Sequence, residues 1–176
     1  GEKIITHISN FRPVKRVEDV VLIFNKIQKE IPSKLLLVGE GPDFDQVNLL
    51  VKQMKLSDSV IFLGNSNEVS KILCYSDLFI LPSITESFGL AALEAMAAKT
   101  PVISTNTGGL PEVNIDGVTG YLSNLGDIDQ MAENGIKILK DEDLLETFKE
   151  NAFTQAQTFS YDVIVPEYEE LYNRAL

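Results

Sequence analysis

Short apolar runs alternate with segments of helical periodicity along most of this chain. Leu35 to Val38 is a continuous apolar run closed by Gly39, which is typical of a parallel strand covered on both faces. Pro32 ends the helical pattern that precedes this run. Repeated strand–helix units with short connections predict an α/β fold with a doubly wound, Rossmann-like parallel sheet.

The predicted elements place several loops at the same edge of that sheet. Strands are expected at 3–8, 35–38, 60–63, 78–81 and 102–104, and helices at about 17–31, 43–55, 68–74 and 86–94, with a helical tail at about 128–176. Ligands bind beyond the carboxyl ends of the strands in such sheets. Five loops are therefore expected to converge on one rim, namely Ser9–Lys15, Gly39–Pro42, Gly64–Asn67, Glu86–Gly89 and Thr107–Gly109.

Composition and charge argue against several functional classes. The 176 residues, 44% hydrophobic and 23% charged, suit one globular domain at 1–176. The net charge of −11 argues against nucleic-acid binding, which needs an extended basic face. No apolar run approaches the ~20 residues of a membrane span, and no charged-then-apolar leader is present, so a cytoplasmic location is expected. The lone Cys74 permits no intrachain disulfide, which fits a reducing compartment.

Glu86 and Glu94 frame a Ser-Phe-Gly turn at the predicted passage from a strand to a helix. Ser87 is predicted to cap that helix. The helix start would offer a phosphate the free N–H groups of Phe88, Gly89 and Leu90. Glu94 can accept hydrogen bonds from paired ribose hydroxyls, and Glu86 would lie on the sugar side of the phosphates. On spacing alone, a solvated helix residue and a loop charge explain these two acids equally well.

A small basic cluster follows the first predicted strand. Arg12, Lys15 and Arg16 gather three of the fifteen basic residues into five positions. Cations at a helix start oppose the helix dipole, so a bound anion explains the cluster better than a solvated helix start does. We therefore expect a phosphate contact here.

Other tempting motifs are better explained structurally. Three acidic pairs resemble metal-binding patterns, but each lies at a predicted helix start, where acids favour the dipole: Asp43 with Asp45, Asp127 with Asp129, and Asp141 with Asp143. His7, the only histidine, is expected to be a packed strand residue. With no second histidine and no paired cysteines, no metal site is expected.

The segment from Glu86 to Glu94, followed by Ala95-Met96-Ala97, resembles the Glu-x7-Glu signature of retaining family-four glycosyltransferases with the GT-B fold. Further motifs keep the family's order across nearly the whole chain: 38–42, 62–64, 76–78, 101–103, 108–112 and 116–122. The resemblance implies one half of a GT-B fold, the C-terminal, donor-binding half. The chain would then lack the N-terminal acceptor domain and be inactive alone.

The resemblance also implies roles for individual residues. Lys15 would stabilise the leaving diphosphate, with Arg12 nearby, since many relatives place an arginine where this chain has Asn10. Glu86 would hydrogen-bond the donor sugar and steady its oxocarbenium-like centre as a positioning residue. The remaining expected donor contacts are Glu94, Ser87, Phe88, Gly89, Leu90, Asn10, Gly41, Asn65 and Gly109. An ordinary glycine turn explains Gly109 equally well.

Within the family, His7 to Arg16 is most similar to members that transfer N-acetylglucosamine from UDP to L-malate in bacillithiol biosynthesis. This implies UDP-N-acetylglucosamine as the donor substrate with no cofactor required, although the residues alone do not distinguish uracil from adenine or guanine. Two alternatives stay open, a transferase with another nucleotide sugar and acceptor, and a non-catalytic nucleotide-sugar-binding module. Tyr161, Tyr168 and Tyr172 in the tail are explained by core packing or by contact with the acceptor domain. A homo-oligomer is compatible with the sequence.

Overall fold

Six parallel strands form one sheet in the computed structural model, which describes residues 1–175. The strands are β1 (Lys3–Ile8), β2 (Ser33–Val38), β3 (Val60–Gly64), β4 (Leu78–Leu81), β5 (Val102–Thr105) and β6 (Gly120–Ser123). Their order across the sheet is β3-β2-β1-β4-β5-β6, so the predicted doubly wound, Rossmann-like topology is confirmed. The order reverses between β1 and β4, and ligands of such folds bind at this switch point.

Helices cover the sheet between successive strands. They are α1 (Val17–Gln28), α2 (Phe44–Gln53), α3 (Val69–Cys74), α4 (Leu90–Ala97), α5 (Leu110–Val113), α6 (Ile128–Lys140), α7 (Glu142–Gln157) and α8 (Tyr161–Ala175). α1 packs against α6 and α4 packs against α7, and the buried apolar side chains form two clusters. Every residue of β4 and β5 is buried, as expected for central parallel strands covered on both faces. None of the helices within residues 1–175 is both long and apolar enough to cross a membrane.

Three sequence expectations about elements need correction. The 86–94 helix begins only at Leu90, because the chain first turns at Gly89 with a φ of +93°. The helix expected to reach 31 ends at Gln28, although Ile31 is still buried in the core. Strand β6 was not predicted, because its only large apolar residues are Tyr121 and Leu122, and it lacks the continuous apolar run that identifies a strand such as β4.

The helical tail is confirmed, but its tyrosines do not pack in the core. Tyr161, Tyr168 and Tyr172 lie on α8 with exposed fractions of 77%, 58% and 67%. Core packing is therefore the wrong explanation for these side chains. α8 therefore presents large aromatic side chains at the surface.

Candidate functional site

Two loops meet at the switch point of the sheet. One follows β1 and contains the 3₁₀ turn Pro13–Lys15; the other follows β4 and leads to α4. The N–H of Ile84 in the second loop donates a hydrogen bond of 2.8 Å to the carbonyl of Val14 in the first. The crevice at the carboxyl ends of β1 and β4 is therefore bounded by loops that are joined to each other.

A charged pair lies in this crevice. Lys15 Nζ donates to Glu86 Oε1 at 2.7 Å, and the two side chains are only 22% and 13% exposed. Ser83 Oγ donates to the same carboxylate oxygen at 2.8 Å. Sequence analysis assigned both Lys15 and Glu86 to the site, and the structure brings them into contact. A partly desolvated ion pair of this kind holds both charges in place more firmly than an exposed pair does.

His7 joins the loop after β1 to the neighbouring strand β4. Its Nδ1 donates to the carbonyl of Ile80 at 2.8 Å, since a carbonyl can only accept, and its Nε2 therefore accepts from Ser9 Oγ at 2.8 Å. Burial lowers the pKa of His7 from 6.5 to about 4; the bond to Ile80 and the charge of Glu86 raise it, and the Lys15 charge lowers it. The imidazole is thus neutral at neutral pH, and the prediction of a packed strand histidine is confirmed.

The neighbouring loops are held against these two by close backbone approach. An added Cβ on Gly39 would lie 1.8 Å from the Ser9 carbonyl oxygen, and one on Gly108 would lie 2.0 Å from that of Glu86. Hydrogen bonds complete the joints, from the N–H of Gly39 to the carbonyl of Gly64 and from the N–H of Gly109 to the carbonyl of Glu86. The predicted convergence of five loops on one rim is therefore confirmed.

The start of α4 leaves backbone donors free. Gly89 occupies the N-cap position with a positive φ, and no side chain caps the helix, so the prediction that Ser87 is the cap is wrong. A capping side chain reaches the first-turn N–H groups from the residue next to the helix, whereas Ser87 lies two residues before Gly89. Within residues 1–175, the N–H groups of Phe88, Gly89 and Leu90 donate no hydrogen bond. They remain available to an anion at the positive end of the helix.

Several predicted contacts are exposed residues without a fixed place. Glu94 is the fifth residue of α4, little more than one turn from its start. Arg12 and Glu94 are both exposed, and within the described residues no hydrogen bond or ion pair is formed by the side chain of either. Asn10 is exposed beside Gly41, whose added Cβ would lie 2.0 Å from the Asn10 carbonyl oxygen. These side chains are accessible to a ligand, but no contact within the described residues fixes their orientation.

Arg16, the third cation of the basic cluster, pairs with a residue in the first turn of α1. Arg16 Nε donates to Asp19 Oδ2 at 2.5 Å, and Asp19 is buried. Of the three clustered cations, only Lys15 contacts a predicted site residue. The cluster thus divides into one site residue, one helix residue and the exposed Arg12.

The loops after β2 and β3 carry two of the expected donor contacts, Gly41 and Asn65. Asn65 Nδ2 donates to Glu40 Oε2 at 3.1 Å, which links the two loops. A cavity of about 360 Å³ opens beside this link and is lined by Glu40, Gly41, Pro42, Phe44 and Asp45. Backbone groups of Gly41 and the side-chain amide of Asn65 are therefore available beside this cavity to form hydrogen bonds with a planar ring.

A larger apolar cavity of about 910 Å³ lies between α4 and α8. Its lining includes Phe88, Leu93 and Tyr168, but not Lys15 or Glu86. The Phe88 ring meets Phe159 edge to face, with 5.4 Å between ring centroids. Phe88 therefore joins this apolar surface to the loop that carries Glu86.

The three acidic pairs lie at helix starts, as expected. Asp127 and Asp141 accept hydrogen bonds of 3.0 Å from the N–H groups of Gln130 and Leu144 as N-caps, and Asp43 occupies the N-cap position of α2. Among residues 1–175, no group of three or more His, Cys, Asp or Glu side chains is arranged to hold a metal ion.

Sequence reasoning missed Ser83. It lies fully buried just after β4, and its carbonyl accepts a hydrogen bond of 2.7 Å from the buried hydroxyl of Thr105. A serine after a strand carries no pattern of its own. Its position two residues after the apolar run 78–81, beyond Pro82, places it at the carboxyl end of β4.

Comparison with known proteins identifies the class. Residues 1–155 match the family described as Glycosyl transferases group 1, and the chain belongs to this family. The N-acetyl-alpha-D-glucosaminyl L-malate synthase of Bacillus anthracis is 49% identical over 173 residues, which is 98% of this chain and 45% of that protein. The D-inositol 3-phosphate glycosyltransferase of Mycobacterium marinum is 32% identical over 74% of this chain and 29% of its own length.

Solved structures agree with the fold. Staphylococcus aureus TarM, solved as a mutant with fondaparinux, alpha-GlcNAc-glycerol and UDP, superposes with a TM-score of 0.90 at 26% identity, covering 98% of this chain and 36% of TarM. Sucrose-phosphate synthase from Thermosynechococcus elongatus gives a TM-score of 0.88 at 29% identity, covering 99% and 45%. The predicted GT-B relationship is confirmed. The chain spans less than half the length of these relatives.

Proposed function

We propose that this chain is the donor-binding half of a retaining glycosyltransferase that binds UDP-N-acetylglucosamine and transfers N-acetylglucosamine to L-malate, a step of bacillithiol biosynthesis. The observation that carries the proposal is the Lys15–Glu86 pair at the switch point, together with the three free N–H groups that precede and open α4. The 49% identity to an N-acetyl-alpha-D-glucosaminyl L-malate synthase supports the choice of donor and acceptor.

The diphosphate would lie at the start of α4. There the N–H groups of Phe88, Gly89 and Leu90 offer hydrogen bonds and the helix dipole favours negative charge. Lys15 Nζ supplies a positive charge that is held in the crevice by Glu86, and the exposed Arg12 can approach from the same loop. Donors that are already in place stabilise the charge that develops on the leaving phosphate without reorganisation at the moment of reaction.

The two acids would divide the rest of the donor between them. Glu94, exposed on α4, would accept hydrogen bonds from the ribose hydroxyls. Glu86 would hold a hydroxyl of the transferred sugar through the carboxylate oxygen that does not bind Lys15 and Ser83. A carboxylate engaged in this way suits a positioning role rather than a nucleophilic one. Retention would then follow from attack on the same face, with the leaving phosphate assisting deprotonation of the acceptor.

The acceptor would be held by a domain that faces this one. The exposed tyrosines of α8 and the apolar cavity beside Phe88 offer that domain a surface. We place the reaction in the cytoplasm, which fits the exposed free thiol of Cys74.

Calorimetric titration with UDP, UDP-N-acetylglucosamine, ADP-glucose and GDP-mannose tests the donor. We expect heat with the two uridine nucleotides and little with the others. Silence for all four would contradict a donor site, whereas preference for another nucleotide would favour a different member of the family.

A chimera tests the acceptor. Joining this chain to the N-terminal part of the Bacillus anthracis relative should give an enzyme that transfers N-acetylglucosamine to L-malate, and Glu86→Ala in the same chimera serves as the inactive control. A chimera that binds the donor but leaves malate unmodified would support a non-catalytic donor-binding module.

A further inference from the structure

We propose that Ser83 is a positioning residue that fixes the Glu86 carboxylate, so that the oxygen Oε2 is presented to the donor sugar. This inference rests on the proposed function, because it concerns how the same site distinguishes a sugar nucleotide from the bare nucleotide. Ser83 is not expected to touch the donor itself.

Two donors converge on one oxygen of Glu86. Ser83 Oγ lies 2.8 Å and Lys15 Nζ 2.7 Å from Oε1, and the side chain is only 13% exposed. Within residues 1–175, Oε2 takes part in no hydrogen bond. The lone pairs of Oε2 therefore remain free to accept a hydroxyl group.

The two donors differ in how firmly they fix the orientation of the Glu86 carboxylate. Lysine is a point charge on a flexible four-carbon stem, so its ammonium can follow a carboxylate that turns. The Ser83 hydroxyl is joined through a single methylene group to a backbone that is itself fixed. Its carbonyl accepts from Thr105 Oγ1 at 2.7 Å and from Thr107 Oγ1 at 3.4 Å.

The next residue is fixed as well. The N–H of Ile84 donates to the carbonyl of Val14, in the loop that carries Lys15. A chain of hydrogen bonds thus runs from the end of β5 through Ser83 to Glu86 and Lys15. Supporting contacts of this kind keep a binding group within the small angular range that recognition needs.

The inference predicts a selective defect. Removing the hydroxyl leaves Glu86 held by Lys15 alone, and the carboxylate can then turn away from the sugar. Contacts to the phosphates and the base do not involve Ser83. The loss should therefore fall on UDP-N-acetylglucosamine and spare UDP.

The experiment measures the dissociation constants of both ligands by calorimetry for four forms of this chain: unmodified, Ser83→Ala, Glu86→Ala and the double variant. For Ser83→Ala we expect about tenfold weaker binding of UDP-N-acetylglucosamine and unchanged binding of UDP. In the Glu86→Ala background, Ser83→Ala should cause no further loss, because the group that it positions is already gone.

Ser33→Ala is the matched control. Ser33 is buried at the amino end of β2, whereas the site lies at the carboxyl ends of the strands. The Ser33 hydroxyl donates to the carbonyl of Ile31 at 3.0 Å. This variant loses a comparable buried hydrogen bond but should leave the ratio of the two dissociation constants unchanged. Ser83→Cys, which keeps the size of the side chain and weakens the donor, provides a second test if Ser83→Ala does not fold.

The outcomes separate the two proposals. Equal weakening of both ligands by Ser83→Ala, or additive losses in the double variant, would overturn the positioning role while leaving the donor site intact. An unmodified chain that binds neither ligand would overturn the proposed function, and this inference with it.

Discussion

Acidification should destabilise this domain through His7. The ring is fully buried, and both of its nitrogens are engaged, Nδ1 as donor to Ile80 and Nε2 as acceptor from Ser9. Protonation would add a charge that burial disfavours and would place a second N–H against the Ser9 hydroxyl that now donates to it. The folded protein therefore binds this proton less readily than the unfolded chain does.

The size of the effect follows from the two pKa values. The pKa of His7 is about 4 when folded and 6.5 as the reference for the unfolded chain. Because the unfolded state binds more protons between these values, the free energy of unfolding falls as the pH falls through that window and is fully retained above it. One pH unit corresponds to about 1.4 kcal/mol, so the loss between pH 7 and pH 5 should be about 2 kcal/mol.

Urea unfolding followed by circular dichroism at pH 7, 6 and 5 measures this loss. His7→Gln is the control, since it removes the titrating group and lowers the stability at every pH. The difference between the unmodified chain and this variant should shrink by about 2 kcal/mol on going to pH 5. A difference that stays constant across that range would refute the reasoning, because other groups would then account for any slope.

Three further predictions concern packing, the nucleotide and metals. Gly39→Ala should destabilise the fold by more than about 2 kcal/mol, because it adds a Cβ 1.8 Å from the Ser9 carbonyl oxygen at a φ of +118°. Gly117→Ala is the control and should cost only about 1 kcal/mol, because Gly117 has a φ of +70° and open space around it. Equal losses of the two variants in urea unfolding would refute the packing argument. Glu94→Ala should weaken the binding of UDP and of UDP-N-acetylglucosamine alike by roughly 1.5–3 kcal/mol, measured by calorimetry. Glu133→Ala, a substitution of another exposed glutamate, should change the affinity for neither ligand. Unchanged affinity in Glu94→Ala would contradict the assignment of Glu94 to the ribose. UDP binding should be the same in EDTA as in manganese, and complete dependence on manganese would redirect attention to the acidic pairs.

The sequence predicted the central strands well because they are buried on both faces. Continuous apolar runs such as Leu78–Leu81 identify such strands without long-range information, and the observed bounds of that strand are the same. Strand β6 was missed for the opposite reason. Gly120–Ser123 contains only two large apolar residues, and it becomes a strand through its pairing with β5.

The site was predictable where charge and spacing carry the signal. Lys15 and Glu86 are 71 positions apart, and family resemblance together with the common rim of the sheet brought them to one site before any contact was known. The N-cap of α4 was predicted wrongly because Ser87 is a residue type that favours this position, whereas the positive φ of Gly89 sets where the helix begins. Ser83 depends on three-dimensional contacts alone, with Glu86 on one side and Thr105 on the other.

The most direct test of the donor site is a crystal structure of this chain with UDP-N-acetylglucosamine. We expect the diphosphate within hydrogen-bond distance of the N–H groups of Phe88, Gly89 and Leu90, the ribose on Glu94, and the sugar beside Lys15 and Glu86. A diphosphate bound elsewhere, with the Lys15–Glu86 pair still facing solvent, would contradict the account.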